Sequence, residues 1–278
     1  MARTSQVAPL GDMDPFAPNP LHPVRVRARN MPADTHFEPH RHAWGQLAYC
    51  ASGVIQVSVV APVAPTAYIV PPSRAVWIAP GALHAIAVLE AAAFRTLYID
   101  PSVVPADGAV CRVMAVTPLL RELVSALDPV GGTPPGPARE AALTALVLGE
   151  IGDAESLALG VPLPGPDSDK RLRALCTAVL EAPGRHATLH DWATDSGASE
   201  RTLARLFHAR FGMGFAQWRK QAVLAHALPR LARGESVGQV AASSGYASES
   251  AFSAMFKAAM GQPPSWFIGR NDAYAPSA

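Results

Sequence analysis

The C-terminal part of this chain carries one short pattern twice, and a chain with that duplication has few ways to fold. From Leu189 it reads Leu-x-x-x-Ala, then Gly197, Ser199, Leu203, Phe207 and Gly212. From Val237 it reads Val-x-x-x-Ala, then Gly245, Ser248, Phe252, Phe256 and Gly261. The first three positions recur at an offset of 48 and the other four at 49, so the second copy has one extra residue in its turn. Each copy holds an apolar-periodic helix, a glycine suited to the left-handed conformation, a serine to cap the next helix, and a second amphipathic helix. These are the parts of a helix-turn-helix, and two on one chain predict a DNA-binding protein.

The second helix of each copy can be read face by face. In the first, Leu203, Leu206 and Phe207 form the inward stripe, which leaves Arg201, Ala204, Arg205 and His208 on the opposite face, behind Ser199 and Thr202 at the helix start. Arginine bonds guanine O6 and N7 together through its planar fork, and a small apolar side chain such as Ala204 can touch a thymine methyl. Arg201 and Arg205 are therefore the expected base readers. In the second copy Phe252, Met255 and Phe256 point inward, leaving Ser248, Glu249, Ser250, Ser253, Ala254 and Lys257 outward. That face can bond phosphate through the helix N-terminus and Lys257 but has no bidentate donor for guanine, so it is expected to position rather than read.

Between the copies, Phe215 to Ala232 reads as a long helix with Phe215, Trp218, Val223, Leu224, Leu228 and Leu231 on its apolar side. A rigid connector suits two recognition helices that enter successive major grooves about 34 Å apart. Pro229 inside it is expected to bend the helix or split off its last turn. Charge follows the same division. Residues 1–167 hold 10 Lys+Arg against 14 Asp+Glu, whereas residues 168–270 hold 13 against 7, so the cations sit with the duplicated motif.

This C-terminal stretch resembles the DNA-binding domain of AraC/XylS-type transcriptional regulators, over about Asp169 to Arg270. The most specific part is Gly245-Tyr246, Ser248, Phe252, Phe256-Lys257, Gly261, Pro264 and Trp266. The resemblance implies a seven-helix domain that acts at promoter DNA with RNA polymerase, usually as an activator and sometimes as a repressor.

The N-terminal half has a different texture. Arg25–Arg29, Gln46–Cys50, Val54–Val60, Tyr68–Val70, Val76–Ile78, Ile86–Leu89 and Phe94–Ile99 are alternating or β-branched runs between Pro/Gly breaks, which predicts a small antiparallel barrel or sandwich. Within it lie His40-x-His42-x-x-x-Gln46 and Pro80-Gly81-x-x-His84. On a strand, residues 40 and 42 share a face, and His84 at the start of another strand can supply a third imidazole. These stretches resemble the two cupin motifs, and the resemblance implies His40, His42, Gln46 and His84 at metal positions. Cupin sensor domains commonly precede AraC-type DNA-binding domains. Metal-binding cupins usually have Glu where this chain has Gln46, and a neutral three-histidine set suits zinc, nickel, iron or copper. Three readings stand side by side: remnants of the fold, contacts to a small organic effector with Trp44, Tyr49, Trp77 and Tyr98 as pocket walls, or a divalent metal.

The expected architecture is α+β with two domains. A flexible arm, 1–20, leads to a cupin-like barrel, 21–116. A helical hairpin, 117–160, read as Thr117–Leu127 and Ala138–Leu159 around a Pro129–Pro137 loop, is the candidate homodimer surface. A Pro/Gly linker, 161–168, joins the double helix-turn-helix, 169–270, and a tail, 271–278, follows. No apolar run approaches the roughly 20 residues of a membrane span and no signal segment opens the chain, so the cytoplasm is the expected location. Cys50, Cys111 and Cys176 lack CxxC spacing and read as free thiols. The expected function is effector-controlled promoter regulation rather than catalysis. The competing class is a cupin-type metalloenzyme with an appended DNA-binding domain, for which Glu38 is the one acid–base candidate beside the histidines.

Overall fold

The computed structural model describes residues 6–60, 65–104, 111–128, 135–157, 160–165 and 167–268, which form two compact units. The expected tail and residues 129–134 of the hairpin loop lie outside the described residues.

The first unit is a two-sheet β structure. Its strands are β1 (Gln6–Val7), β2 (Val24–Met31), β3 (Thr35–His40), β4 (Gly45–Cys50), β5 (Val54–Val59), β6 (Thr66–Val70), β7 (Arg74–Ile78), β8 (His84–Glu90), β9 (Ala92–Ile99), β10 (Cys111–Ala115) and β11 (Ser156–Leu157). One sheet runs β1-β3-β8-β5-β6 and the other β11-β10-β7-β4-β9-β2. The expected strands form where Val, Ile, Phe and Tyr alternate with smaller or polar residues, which lets each strand bury one row between the sheets. β1, β10 and β11 lie outside the expected runs, and β3 ends at His40, short of the strand expected to carry both His40 and His42. Phe37 on β3 and Val113 with Met114 on β10 are the buried apolar residues of those two strands, too few to stand out in the sequence.

The outer face of the second sheet carries the hairpin, α1 (Pro118–Leu127) and α2 (Pro137–Asp153). Leu47, Tyr49, Trp77, Leu97 and Met114 of the sheet pack with Leu120, Leu123, Val124, Val147 and Ile151 of the helices. Thr117 caps α1 by accepting from Leu120 N–H at 3.0 Å. The half-buried Arg95–Asp128 pair, 2.8 Å, anchors the other end of that helix. α2 stops six residues short of the expected Leu159. Arg112 reaches its terminal carbonyls, donating to Ile151 O at 2.7 Å and Ala154 O at 3.0 Å, and the chain then pairs as β11 with β10. Leu119 and Leu146 point outward, 49% and 52% exposed.

Part of the expected flexible arm is held. β1 runs parallel to β3, and Arg29 Nη1 donates to Pro9 O at 2.9 Å.

The second unit contains α3 (Lys170–Glu181), α4 (Leu189–Ser196), α5 (Glu200–Phe211), α6 (Phe215–Ala232), α7 (Val237–Ser243) and α8 (Glu249–Met260), then a 3-10 turn at Pro264–Phe267. Among the described residues that is six α-helices and a turn, where the resemblance implies seven helices. α6 is not split at Pro229: it continues to Ala232 with the proline buried. The proline lies in the final turn, so little helix remains beyond it to be lost. The expected linker is no free spacer either. Within the second unit, which also takes in residues 60–67 and so the first two residues of β6, Val161 and Pro162, as β12, pair with Ala67 and Thr66, and Trp218 Nε1 donates to Pro162 O at 2.8 Å.

Candidate nucleic-acid interface and sensor site

Both helix-turn-helix units are built from the same local parts. Thr188 caps α4, and Ser236 forms a reciprocal capping box with Gln239 on α7. Ser199 and Ser248 cap α5 and α8, accepting from Thr202 N–H and Ala251 N–H, each at 3.2 Å. Gly197 and Gly245 take left-handed φ of 62° and 79° in the two turns. Inside, Leu203 and Phe207 of α5 are fully buried with Trp218, whose ring lies 5.6 Å from Phe207. Phe252 and Phe256 fill the corresponding place in α8, with Tyr246, in the longer second turn, edge-on to Phe252 at 5.5 Å.

The outward faces differ. α5 exposes Arg201, Arg205 and His208, with Thr202 and Ala204 half-buried beside them. Ser199 and Thr202 face each other, their hydroxyls 2.9 Å apart, so both serve the cap. α8 exposes Glu249, Ser250, Ala254 and Lys257, with Ser253 half-buried. Ser250 donates to Ser248 Oγ at 3.3 Å. Leu206 and Met255, expected inward, are only half-buried at the margins of their stripes.

One residue escaped sequence reasoning. Arg219 of α6 donates through Nη2 to Pro183 O at 2.7 Å and to Ser244 O at 3.1 Å, so a single guanidinium ties the loop before α4 to the turn between α7 and α8. Beneath it the two backbones touch: a Cβ on Gly245 would meet Gly184 Cα at 2.9 Å, and one on Gly184 would meet Ser243 O at 2.4 Å. The only trace of this in the sequence is a Pro183-Gly184 pair, which reads as an ordinary turn.

In the first unit, His40, His42 and His84 converge, their candidate ligand atoms all within 4.8 Å of one another. Strand parity is not the reason. β3 ends at His40, and His42 lies in the loop that follows, held because Gly81 N–H donates to His42 O at 2.8 Å. His40 and His84 are register partners across β3 and β8. Each ring places Nδ1 against a backbone carbonyl: His40 on Glu38 O at 2.8 Å, His42 on Trp44 O at 2.8 Å, His84 on Ala82 O at 2.9 Å. A carbonyl only accepts, so each Nδ1 carries a proton, and in the neutral form of each ring the Nε2 lone pair is free to bind. Among the described residues the buried Nε2 of His84 has no hydrogen-bond partner, and burial pushes this imidazole down to about 4, with His40 and His42 adding to the shift.

Gln46 completes the group. Its Oε1 lies 2.9 Å from His42 Nε2, while its Nε2 donates to Thr96 Oγ1 at 2.8 Å. With Nδ1–H committed to Trp44, the Gln46 oxygen and the His42 nitrogen face each other as two acceptors. A shared cation reconciles them, as does rotation of the amide or a proton on His42 Nε2. The three nitrogens and one oxygen are a donor set that fits a borderline divalent ion. Glu38, the candidate acid–base group, turns its carboxylate to His36 at 3.4 Å and offers the cluster only its carbonyl.

The four expected pocket aromatics divide by strand parity. Trp44 stacks on His42 at 5.2 Å, and Tyr98 meets both rings edge-on at 5.7 Å. Tyr49 and Trp77 do not line this site. Residue 49 is odd where Gln46 is even on β4, and Trp77 pairs with Leu47, so both point into the core under the hairpin.

Residues 192–270 match the family described as a helix-turn-helix domain, and residues 22–151 match the AraC-like ligand binding domain. Among curated proteins, the chain is 32% identical over 237 residues to the HTH-type transcriptional regulator NimR of Escherichia coli, covering 85% of this chain and 84% of NimR. The chain belongs to the AraC family of transcriptional regulators. RipA of Corynebacterium glutamicum, also an HTH-type transcriptional regulator, is 32% identical over 106 residues, 38% of this chain and 31% of RipA. Among solved structures, ToxT from Vibrio cholerae with bound unsaturated fatty acid is 15% identical, covers 91% of this chain and 98% of ToxT, and has a TM-score of 0.37. As an AraC-family regulator the chain pairs an N-terminal ligand-binding domain with a C-terminal DNA-binding domain. The metalloenzyme alternative finds no support in these relatives. Among the described residues no helix is long and apolar enough to cross a membrane.

Proposed function

We propose that α5 and α8 enter successive major grooves of promoter DNA, with α5 reading bases through Arg201 and Arg205 and α8 fixing the register through Lys257 and its N-terminal N–H groups. The observation that carries this reading is the pairing of equivalent caps and cores with unequal outer faces, guanidinium on α5 against small hydroxyl and methyl groups on α8. Selection of duplexes from a random pool, followed by fluorescence anisotropy, tests it. Arg205→Ala is expected to weaken binding and relax preference at one guanine, whereas Ser250→Ala with Ser253→Ala leaves base preference intact. The opposite ranking would refute the assignment.

The barrel is the sensor in this reading. His40, His42 and His84, with Gln46 as the fourth ligand, would hold one divalent ion of the zinc, nickel, iron or copper class, which would supply Lewis acidity toward an electron-pair donor of the effector. The buried, unpartnered His84 Nε2 supports this. Metal analysis of purified protein beside His42→Ala is expected to give about one ion per chain, lost in the variant. Metal in neither sample would leave the cluster as contacts to an organic effector.

Exposed Leu119 and Leu146 on the hairpin make it the homodimer surface of this proposal. An effector that binds one arrangement of the dimer better shifts its DNA-binding halves by that difference in affinity and no more. Activation through RNA polymerase, in the cytoplasm, is the expected output. Leu119→Asp with Leu146→Asp should yield a monomer by light scattering, and an unchanged mass would exclude this face.

A further inference from the structure

The second copy of the repeated pattern is one residue longer in its turn than the first, and the two turns are held differently. In the first unit α4 runs to Ser196, and Gly197, Ala198 and Ser199 lead directly into α5. In the second α7 stops at Ser243, and Ser244, Gly245, Tyr246, Ala247 and Ser248 separate it from α8. The end of α7 is closed by the two bonds of a Schellman motif, Tyr246 N–H to Ala241 O and Gly245 N–H to Ala242 O, each at 3.0 Å. That motif leaves Ser244 O over, in a residue with no exposed surface. A buried carbonyl without a donor is destabilising, and Arg219 Nη2 supplies the donor at 3.1 Å.

The same nitrogen donates to Pro183 O at 2.7 Å and lies 3.1 Å from where a Cβ on Gly245 would stand. Both acceptors are backbone carbonyls, so the guanidinium holds the path of the chain. As glue for a turn it is an expensive choice. Its Nε is buried without a hydrogen-bond partner among the described residues, and burial lowers its pKa while the neighbouring Tyr246 opposes that shift. What a planar guanidinium adds over an apolar side chain is a fixed distance and direction. The held turn then passes its position on: the Tyr246 ring lies edge-on to Phe252 of α8 at 5.5 Å, and Phe252 lies against Phe256 at 5.6 Å. In the first turn Ala198 offers no such ring, and Gly197 faces open space.

We propose that Arg219 is a positioning residue for DNA binding: through Ser244 and Tyr246 it sets α8 where Lys257 reaches the phosphate backbone, without touching DNA itself. This rests on the reading of α8 as the helix that fixes the register.

The test is a double-mutant cycle on the full chain, read by fluorescence anisotropy with a labelled duplex selected from a random pool. Lys257→Ala alone is expected to weaken binding about threefold and Arg219→Gln about tenfold, each lowering the salt slope by about one phosphate contact. With Arg219 gone Lys257 no longer reaches its phosphate, so the double variant should bind no more weakly than Arg219→Gln alone. Arg205→Ala, in the other unit, should multiply with Arg219→Gln. Arg219→Lys keeps a donor for one carbonyl and should recover part of the affinity. It carries the same cycle if Arg219→Gln melts below the assay temperature. A variant that merely unfolds loses active protein and keeps the salt slope of the rest. No loss with Arg219→Gln, an unchanged salt slope, or losses that multiply between Arg219 and Lys257 would overturn the positioning role alone. If Lys257→Ala by itself changes neither affinity nor salt slope, the register reading of α8 fails and the proposal falls with it.

Discussion

The two helix-turn-helix units share a frame and differ in what surrounds it. Each has a hydroxyl cap at both helix starts, a left-handed glycine in the turn and two fully buried residues in the recognition helix. In the first unit Gly197 faces open space, and the turn obeys only its own backbone. In the second, Gly245 is pressed against Gly184, and Arg219 pins Ser244 from a third element. The frame of each unit is a local property, whereas the second turn is also held by a patch where the Gly184 and Gly245 backbones touch. The unit whose second helix exposes Arg201 and Arg205 has the freer turn. The plainer one is fixed in place, which suits a positioning role.

The largest effects should fall equally on both units. Phe207→Ala and Phe252→Ala each remove a fully buried ring and are expected to cost about 3–5 kcal/mol in denaturant unfolding. A difference beyond that range would break the equivalence of the two cores. The glycines should then separate the units. Alanine at Gly197 is expected to cost about 1–2 kcal/mol for its left-handed backbone. The same change at Gly245 should cost clearly more, because the added carbon meets backbone that cannot rotate away. Equal losses would mean that the Gly184 contact yields easily.

DNA affinity sharpens the contrast next. Arg205→Ala should lose about 1–3 kcal/mol on the selected operator and Lys257→Ala a smaller amount spread over all sequences. The smallest expected effect is on pH dependence. His226 of α6 accepts from Arg230 at 2.9 Å, and burial lowers its pKa, with Arg230 adding to the shift. Folding thus favours the neutral ring, and stability should be full above the unfolded value of about 6.5 and fall as the pH drops below it. Thermal melts from pH 8 to pH 5 check this, and His226→Gln should flatten that slope.

The barrel is the opposite case from the helical frame. Strand spacing groups His40 and His42 with His84, and the cupin resemblance adds Gln46, but neither gives the reason they meet. A loop after β3, clasped by Gly81, brings His42 in, where strand parity alone would put it one place further along β3. Parity would have excluded Tyr49 and Trp77 had the register of β4 against β7 been known, since both share the outward row with Leu47.

The sequence by itself determined the elements with near-neighbour causes. Caps, left-handed glycines and apolar periods act within a few residues, so both helix-turn-helix units, the connector and most strands could be placed from them. Tertiary structure alone decided what requires distant residues to meet. Arg219 bridges carbonyls 36 and 25 residues away, Trp218 holds Pro162 across 56, and Gln46 reaches Thr96 across 50. Such contacts depend on the register of strands and the path of loops, and a one-residue slip would turn each side chain to the other face.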